Sequence, residues 1–215
     1  MFDKIFPKLH NEGYKFLVIF GLATLVLYLI NSFLGLIGIV LTIWVYYFFR
    51  DPDRISINDE DYLVSPADGV VLQVMETNGP KELNLENKKF TKVSIFMNVF
   101  DCHVNRTPCS GEIEDILYVS GKFLNASLDK ASEDNERNYY KIKDNQNNDI
   151  ILVQIAGLVA RRIVCEASKD QELKQGERVG MIRFGSRADI YYENYEPLVK
   201  VGQRAISGET LLAKK

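Results

Sequence analysis

An uncharged and almost wholly apolar run occupies residues 16–49, and it restricts the possible folds of this chain more than any other feature. A single straight helix of that length would be about 50 Å long at 1.5 Å per residue. The hydrocarbon core of a bilayer is only about 30 Å thick, so one span would be too long. Asn31 and Ser32 interrupt the run near its middle. We therefore predict a hairpin of two short transmembrane helices.

Positive charge flanks the run on both sides. Lysines precede it and arginines follow it, namely Lys4, Lys8, Lys15, Arg50 and Arg54. Because cytoplasmic flanks carry the excess of lysine and arginine, both ends of the hairpin are predicted to be cytoplasmic. A buried helical pair in a soluble protein is the alternative. A cleaved signal peptide is disfavoured because the run is too long and no A-x-A-like site ends it.

These features divide the chain into three parts. Residues 1–15 are predicted to be a cytoplasmic N-terminus, residues 16–49 a membrane anchor and residues 50–215 a globular domain. The predicted location is the cell (inner) membrane, with this domain on the cytoplasmic side. The formal net charge of −3 gives no reason to expect nucleic acid as a partner. Three cysteines without a C-x-x-C pair predict neither a disulfide framework nor a zinc site.

After residue 50, short β-branched runs alternate with turn residues. Strands are predicted at 70–75, 93–99, 113–119, 150–155, 162–167, 179–182 and 189–192. The charged stretch 129–138 is predicted to be a loop or a short exposed helix. Two segments, 173–182 and 199–211, share a glycine-centred turn before an apolar step. The fold class is therefore predicted as mainly β, an antiparallel sandwich or barrel-like domain behind the helical hairpin.

Three places in this domain could carry chemistry, although each is weak by itself. Asp68 stands in a turn that leads into a predicted strand, and His103 directly follows another. Gly185 and Ser186 lie between two predicted strands. The other histidine, His10, precedes the apolar run, where a lone histidine is usually solvated.

Taken together and in order, the motifs resemble a known family. They are Arg50-Asp-Pro52, Pro66-Ala-Asp-Gly69, His103-Val-Asn-Arg106 and Arg183-Phe-Gly-Ser-Arg187. The chain resembles, over nearly its whole length, the short bacterial and archaeal form of the pyruvoyl-dependent phosphatidylserine decarboxylases. The resemblance implies a proenzyme that cuts itself between Gly185 and Ser186. It also implies that Asp68 and His103 are catalytic.

The implied chemistry suits these residue types. Removing a carboxylate from an α-amino acid leaves electrons that need a sink, and pyridoxal phosphate or a pyruvoyl carbonyl can supply one. No feature of the sequence suggests a pyridoxal phosphate site, and no metal is expected. The resemblance implies that Ser186 becomes a pyruvoyl group, which forms a Schiff base with the amine of phosphatidylserine in the bilayer. The large chain, 1–185, and the small chain, 186–215, are expected to stay associated, because the small chain cannot hold a core alone. A homo-oligomer is kept as an alternative to a monomer.

Arg106 departs from the pattern of the longer members, which carry a second histidine at this place. Arginine cannot act as a proton-accepting base at neutral pH. His103 must then serve both self-cleavage and decarboxylation, or another group must serve one of them. Arg106 is interpreted as a cation for the substrate's phosphate or carboxylate, with a structural salt bridge as the alternative.

Three other functions compete with this one. A membrane-anchored β-sandwich adaptor would share the anchor and the glycine-punctuated strands, but it would not cut itself. A serine hydrolase would use Ser186 directly, although no G-x-S-x-G elbow surrounds it. A related decarboxylase would act on a different lipid head group.

Overall fold

The computed structural model describes residues 6–126, 131–157, 162–183 and 186–215. It divides into two compact units, Met1–Asp53 and Arg54–Lys215. In the first unit, helix α1 is Asn11–Ile30 and helix α2 is Ser32–Phe48. Within the described residues, α1 alone is both long and apolar enough to cross a membrane, while α2 is apolar but shorter.

Asn31 separates the two helices. Its backbone is extended, with φ −161°, and its side-chain oxygen accepts a hydrogen bond from Phe33 N at 2.8 Å. The helices pack closely beyond this break. A Cβ at Gly35 would lie 2.6 Å from Tyr28, and one at Gly38 would lie 2.8 Å from the Thr24 hydroxyl. Small residues therefore let the two helices approach each other as an antiparallel pair.

His10 differs from its prediction. We expected a solvated side chain, but His10 is buried and its Nδ1 accepts a hydrogen bond from Glu12 N at 3.2 Å. It is the N-cap of α1, a position that satisfies an otherwise unpaired helical N–H group.

The second unit is mainly β, as predicted. Its strands are β1 (Tyr62–Val64), β2 (Gly69–Asn78), β3 (Lys89–Met97), β4 (Val104–Arg106), β5 (Gly111–Val119), β6 (Arg137–Asp144), β7 (Asp149–Ala156), β8 (Ile163–Cys165), β9 (Glu172–Leu173), β10 (Arg178–Ile182), β11 (Ser186–Tyr192), β12 (Glu196–Pro197), β13 (Arg204–Ala205) and β14 (Leu211–Lys214). A 3-10 turn covers Lys81–Leu83, and a short helix, α3, covers Ala131–Asp134.

Eight of these strands form one curled antiparallel half-barrel. Their order is β13-β2-β3-β11-β7-β6-β5-β9. Two three-stranded sheets, β1-β14-β12 and β4-β10-β8, complete the unit. Strand β11 lies inside the large sheet, and all seven of its residues pair with β3 on one side and β7 on the other.

Both faces of the large sheet are covered, and this determines where neighbouring side chains of β11 go. Ala188 and Ile190 belong to the main core, while Tyr191 packs on a second core around Ile151 and Ile155. Successive residues of a strand point to opposite faces. Ser186 therefore shares a face with Ala188, whereas Arg187 lies on the other face.

Strand β6 begins inside the stretch that we predicted to be a loop or a short helix. Helix α3 lies in that stretch, residues 127–130 are outside the described residues, and Arg137 already belongs to the strand. Arg137 is buried and forms an ion pair with Glu82 at 3.2 Å. A charged residue that is neutralised by a distant partner can occupy a strand position that looks exposed in the sequence.

The two similar segments near the C-terminus form the same turn. Gly176 and Gly202 both adopt the left-handed region, with φ +81° and +87°. In 174–177 and 200–203, the last residue donates its N–H to the carbonyl of the first, at 3.0 and 3.1 Å. A positive φ at the third position is the requirement of a type II turn, which glycine meets without strain.

Candidate active site

Ser186 is fully buried at the first position of strand β11. Met97, at the end of β3, pairs with it on one side, and Ala156, at the end of β7, pairs with it on the other. The Ser186 hydroxyl lies 3.7 Å from the Met97 sulfur. Gly185, the predicted partner in the cleaved bond, lies outside the described residues.

His103 lies between β3 and β4 and is also fully buried. Its Nδ1 is 3.0 Å from the carbonyl oxygen of Asp101. A carbonyl can only accept a hydrogen bond, so Nδ1 carries the proton when the ring is neutral. In this tautomer the free lone pair is on Nε2, so Nε2 is the atom that could accept a proton as a general base.

Asp101 is itself fixed from two sides, which in turn fixes the histidine ring. Its carboxylate accepts a hydrogen bond from Asn98 N at 2.9 Å and pairs with Arg204 at 2.6 Å. A backbone carbonyl thus orients His103 through Nδ1.

Asp68 lies in the turn before β2 and is mostly buried. One carboxylate oxygen is 2.7 Å from the Arg54 guanidinium, and the other accepts a hydrogen bond from Ser207 N at 2.8 Å. A cation and a backbone donor both favour the ionised carboxylate.

Backbone and amide contacts bring the three motifs together. The Pro66 carbonyl, two residues before Asp68, accepts hydrogen bonds from Arg106 N at 3.0 Å and from the Asn105 side chain at 3.3 Å. The same Asn105 amide lies 3.7 Å from the Met97 sulfur that Ser186 contacts. The His103 carbonyl accepts from Ile182 N at 3.2 Å, four residues before Ser186. The loop of Asp68, the segment of His103 and the start of β11 are therefore neighbours.

Asn105 and Gln154 are site residues that sequence reasoning missed. Both are fully buried, and Gln154 donates to the Asn105 side-chain oxygen at 2.9 Å. The Tyr140 hydroxyl in turn lies 2.9 Å from the Gln154 side-chain oxygen. Buried amides are retained when their partners are satisfied, and such a network fixes one arrangement of its members. A signal was present, since Gln154 is the only polar residue within the apolar run 150–156.

Arg106 is buried, and its guanidinium donates to the Gly176 carbonyl at 2.9 Å. It also lines a surface cleft of about 610 Å³ together with Arg54, Lys174 and Arg178. The interpretation of Arg106 as a cation for an anionic substrate stays a prediction, and this cleft is where such a substrate would bind. Among the described residues, no group of three or more His, Cys, Asp or Glu side chains is placed to hold a metal ion.

Arg187 follows Ser186 and lies on the opposite face of the sheet, where it is fully buried. Its guanidinium makes a two-pronged ion pair with Asp189, which is also fully buried, and donates to the Ser94 hydroxyl at 2.8 Å. Burial, followed by the nearby Asp189 carboxylate, raises the pKa of the Tyr191 hydroxyl well above its usual range. A charge without a partner on this face of the sheet would therefore be poorly solvated.

Breaking this pair should destabilise the protein strongly. Arg187→Leu leaves a buried carboxylate without its cation, at a cost of about 3–5 kcal/mol. The double variant Arg187→Leu/Asp189→Leu should lose less stability than Arg187→Leu alone, because no uncompensated charge remains. The measurement is the thermal unfolding midpoint in a Ser186→Ala background, which keeps the chain in one piece.

The exposed ion pair of Lys169 and Asp115, 3.9 Å apart, provides the control. Lys169→Leu should change the free energy of unfolding by less than about 1 kcal/mol. If Arg187→Leu is as mild as Lys169→Leu, the buried pair does not have the role in stability assigned to it.

The buried Ser186 hydroxyl, the nearby segment that carries His103 and the Asp68 carboxylate form a candidate active site. Comparison with known proteins gives the family. The family model described as phosphatidylserine decarboxylase matches residues 41–213. The chain belongs to this family.

Three relatives, each named phosphatidylserine decarboxylase proenzyme, match almost end to end. The chain is 75% identical to that of Pelagibacter ubique over 215 residues, which is the whole of both chains. It is 53% identical to that of Ruegeria pomeroyi over 99% of this chain and 98% of the relative. It is 54% identical to that of Cereibacter sphaeroides over 99% of this chain and 92% of the relative. The family resemblance found in the sequence is confirmed, and neither an adaptor nor a serine hydrolase is favoured.

Proposed function

We propose that this protein decarboxylates phosphatidylserine to phosphatidylethanolamine and CO2, using a pyruvoyl group that it makes from Ser186. The observation that carries the proposal is the position of Ser186. It is fully buried at the first residue of an interior strand, beside the segments of His103 and Asp68. Cleavage of the Gly185–Ser186 bond would make this residue the start of the small chain.

Self-cleavage needs a nucleophile, a base and a carbonyl. The Ser186 hydroxyl attacks the Gly185 carbonyl carbon, and the peptide nitrogen leaves that carbon, so the amide becomes an ester. A base then removes the α-proton of Ser186, and elimination releases the Gly185 carboxylate and leaves a dehydroalanine. Water hydrolyses its imine tautomer and releases ammonia, which leaves the pyruvoyl carbonyl. A serine hydroxyl is a weak nucleophile, so a base must also take the hydroxyl proton in the first step, and that proton then goes to the departing peptide nitrogen, which becomes a free amine.

We assign the base to His103. The hydrogen bond from Nδ1 to the Asp101 carbonyl supports this role, because it leaves Nε2 as the proton acceptor. Asp68 is assigned the supporting negative charge, which favours the imidazolium that forms when His103 takes a proton. Its loop contacts the His103 segment through the Pro66 carbonyl.

The surroundings of Ser186 fit the group that it would become. A pyruvoyl group has one heavy atom fewer than a serine residue, so the space that holds Ser186 between Met97 and Ala156 can hold it. The pyruvoyl carbonyl would supply the electron sink that decarboxylation requires. Met97 and the neighbouring buried residues would exclude water from that position.

The pairing of the strands explains why the two chains should stay together after cleavage. The small chain, 186–215, would contain β11 to β14. Strand β11 pairs with β3 and β7, β13 pairs with β2, and β14 pairs with β1. These interactions are distributed over the whole small chain, so cutting one peptide bond leaves all of them in place.

The remaining assignments concern the membrane and the substrate. We assign residues 16–49 to an anchor in the cell (inner) membrane, with residues 1–15 and 50–215 on the cytoplasmic side. Flanking lysines and arginines support that orientation. Arg106, in the cleft with other cations, is assigned to the phosphate or carboxylate of the head group.

Lipid product analysis tests the proposal. Purified protein is mixed with vesicles that contain phosphatidylserine, and lipids and labelled CO2 from the serine carboxylate are measured. We expect phosphatidylethanolamine and CO2 in equal amounts, with no free serine and no free fatty acid. Free serine or fatty acid would indicate a hydrolase, and no product from correctly cleaved protein would indicate another head group. Either result contradicts the proposal.

A further inference from the structure

The first residues of the second unit are part of the architecture around Asp68. In segment 54–59, Ile55 N lies 3.4 Å from the Glu209 carboxylate, and the Ser56 hydroxyl donates to the Gly208 carbonyl. A Cβ at Gly176 would lie 1.9 Å from the Ser56 hydroxyl, so the segment and the turn at 174–177 touch. This segment is therefore packed against two loops and is not a loose linker.

Arg54 is the member of the segment that reaches the site. Its guanidinium lies 2.7 Å from the Asp68 carboxylate, and the two side chains are only 16% and 10% exposed. Glu209 is farther from it, at 4.0 Å. Ser207, on the same loop as Glu209, donates its N–H to the other oxygen of Asp68. The carboxylate of Asp68 is thus held between a cation from one segment and a backbone donor from another.

We propose that Arg54 is a positioning residue for self-cleavage, which acts by fixing the orientation and the charge of Asp68. The proposal rests on the function proposed above for Asp68. A partly buried carboxylate needs a charged or hydrogen-bonded partner, and a guanidinium supplies a charge and a planar set of donors together. Arg54 was interpreted from the sequence only as a flanking charge of the membrane anchor. Its contact with Asp68 gives it a second role inside the catalytic unit.

The cleft next to Arg54 allows a sharp test. Arg54 lines the open cleft of about 610 Å³, so a small cation can enter the space that a shortened side chain leaves. The variants are Arg54→Ala and Arg54→Lys in the full-length chain, with Lys169→Ala as the control at an exposed ion pair. Self-cleavage is followed by pulse-chase and denaturing electrophoresis, with and without methylguanidinium at millimolar concentration. Sodium chloride of equal ionic strength is the salt control.

We expect Arg54→Ala to cleave about 10- to 100-fold more slowly than wild type, the range typical for the loss of a hydrogen bond to a charged group. Methylguanidinium should restore several-fold of that loss, and sodium chloride should not. Arg54→Lys should be intermediate, because it keeps the charge without the planar donors. Lys169→Ala should cleave at the wild-type rate with either salt.

Two results would overturn the proposal. One is wild-type cleavage by Arg54→Ala. The other is slow cleavage that neither methylguanidinium nor lysine improves, which would indicate a purely structural role. If Arg54→Ala does not fold, Arg54→Lys decides the question, since a wild-type rate in that variant excludes the need for a guanidinium. Wild-type protein on the same gels reports separately on the proposed function, because failure of self-cleavage there would remove its basis.

Discussion

Ser186→Ala is expected to remain a single chain of 215 residues and to make no phosphatidylethanolamine. Alanine has no hydroxyl, so nothing attacks the preceding carbonyl and no pyruvoyl precursor forms. Denaturing electrophoresis of freshly made and of aged protein measures the cleavage, and lipid analysis measures the activity. The small change in volume at a buried position should leave the fold intact, which the thermal unfolding midpoint checks.

Three further substitutions sharpen this result. Ser186→Cys and Ser186→Thr keep a nucleophilic atom and should cleave slowly. Ser168→Ala, at an exposed serine on a loop, should cleave and act like wild type. A Ser186→Ala protein that still splits at this bond would show that the serine is not the nucleophile.

The second large effect concerns the base and its supporting carboxylate. His103→Ala and Asp68→Asn should both accumulate uncut proenzyme. General-base catalysis typically contributes about 10²–10⁴-fold, so slow residual cleavage is compatible with this role. Pulse-chase with denaturing electrophoresis measures the rates. His10→Ala is the matched control. His10 is the only other histidine of the chain, and because it caps helix α1, its loss should not affect cleavage.

Equal cleavage rates in His103→Ala and His10→Ala would contradict the assignment of the base. A further experiment separates self-cleavage from decarboxylation. The matured small chain is separated from cleaved wild-type protein under denaturing conditions and is refolded with residues 1–185 that carry His103→Ala, so that cleavage is bypassed. Reduced decarboxylation is expected if His103 serves both steps, since Arg106 stands where longer members carry a second histidine. A wild-type rate would restrict His103 to self-cleavage.

Local patterns predicted the elements of this fold better than they predicted the contacts between them. Short β-branched runs bounded by turn residues identified strands such as β2, β7 and β11, because the composition and length of such a run favour a strand whatever its distant partners are. The buried start of β6 at Arg137 was missed, because its charge is neutralised by Glu82, a partner far away in the sequence. The same reasoning explains Arg187 and Asp189, which look like exposed positions until their pairing is known.

In the candidate site too, the residues were predicted from the sequence and the contacts between them were not. Sequence motifs led to Asp68, His103 and Ser186, but they did not indicate which groups touch each of them. The Asp101 carbonyl orients His103 at Nδ1. Arg54 and the Ser207 N–H hold Asp68, and Asn105 connects the surrounding segments. Such contacts depend on how distant loops meet, and one segment read alone carries no signal for them.

The intact mass of the purified wild-type protein shows directly whether the chain cuts itself at Ser186 and forms a pyruvoyl group. We expect two species, a large chain that ends at Gly185 and a small chain that begins at position 186. The small chain should be lighter than the serine-initiated peptide 186–215 by one molecule of ammonia, as a pyruvoyl terminus requires. A single uncut mass, or a small chain that begins with unmodified serine, would contradict this expectation.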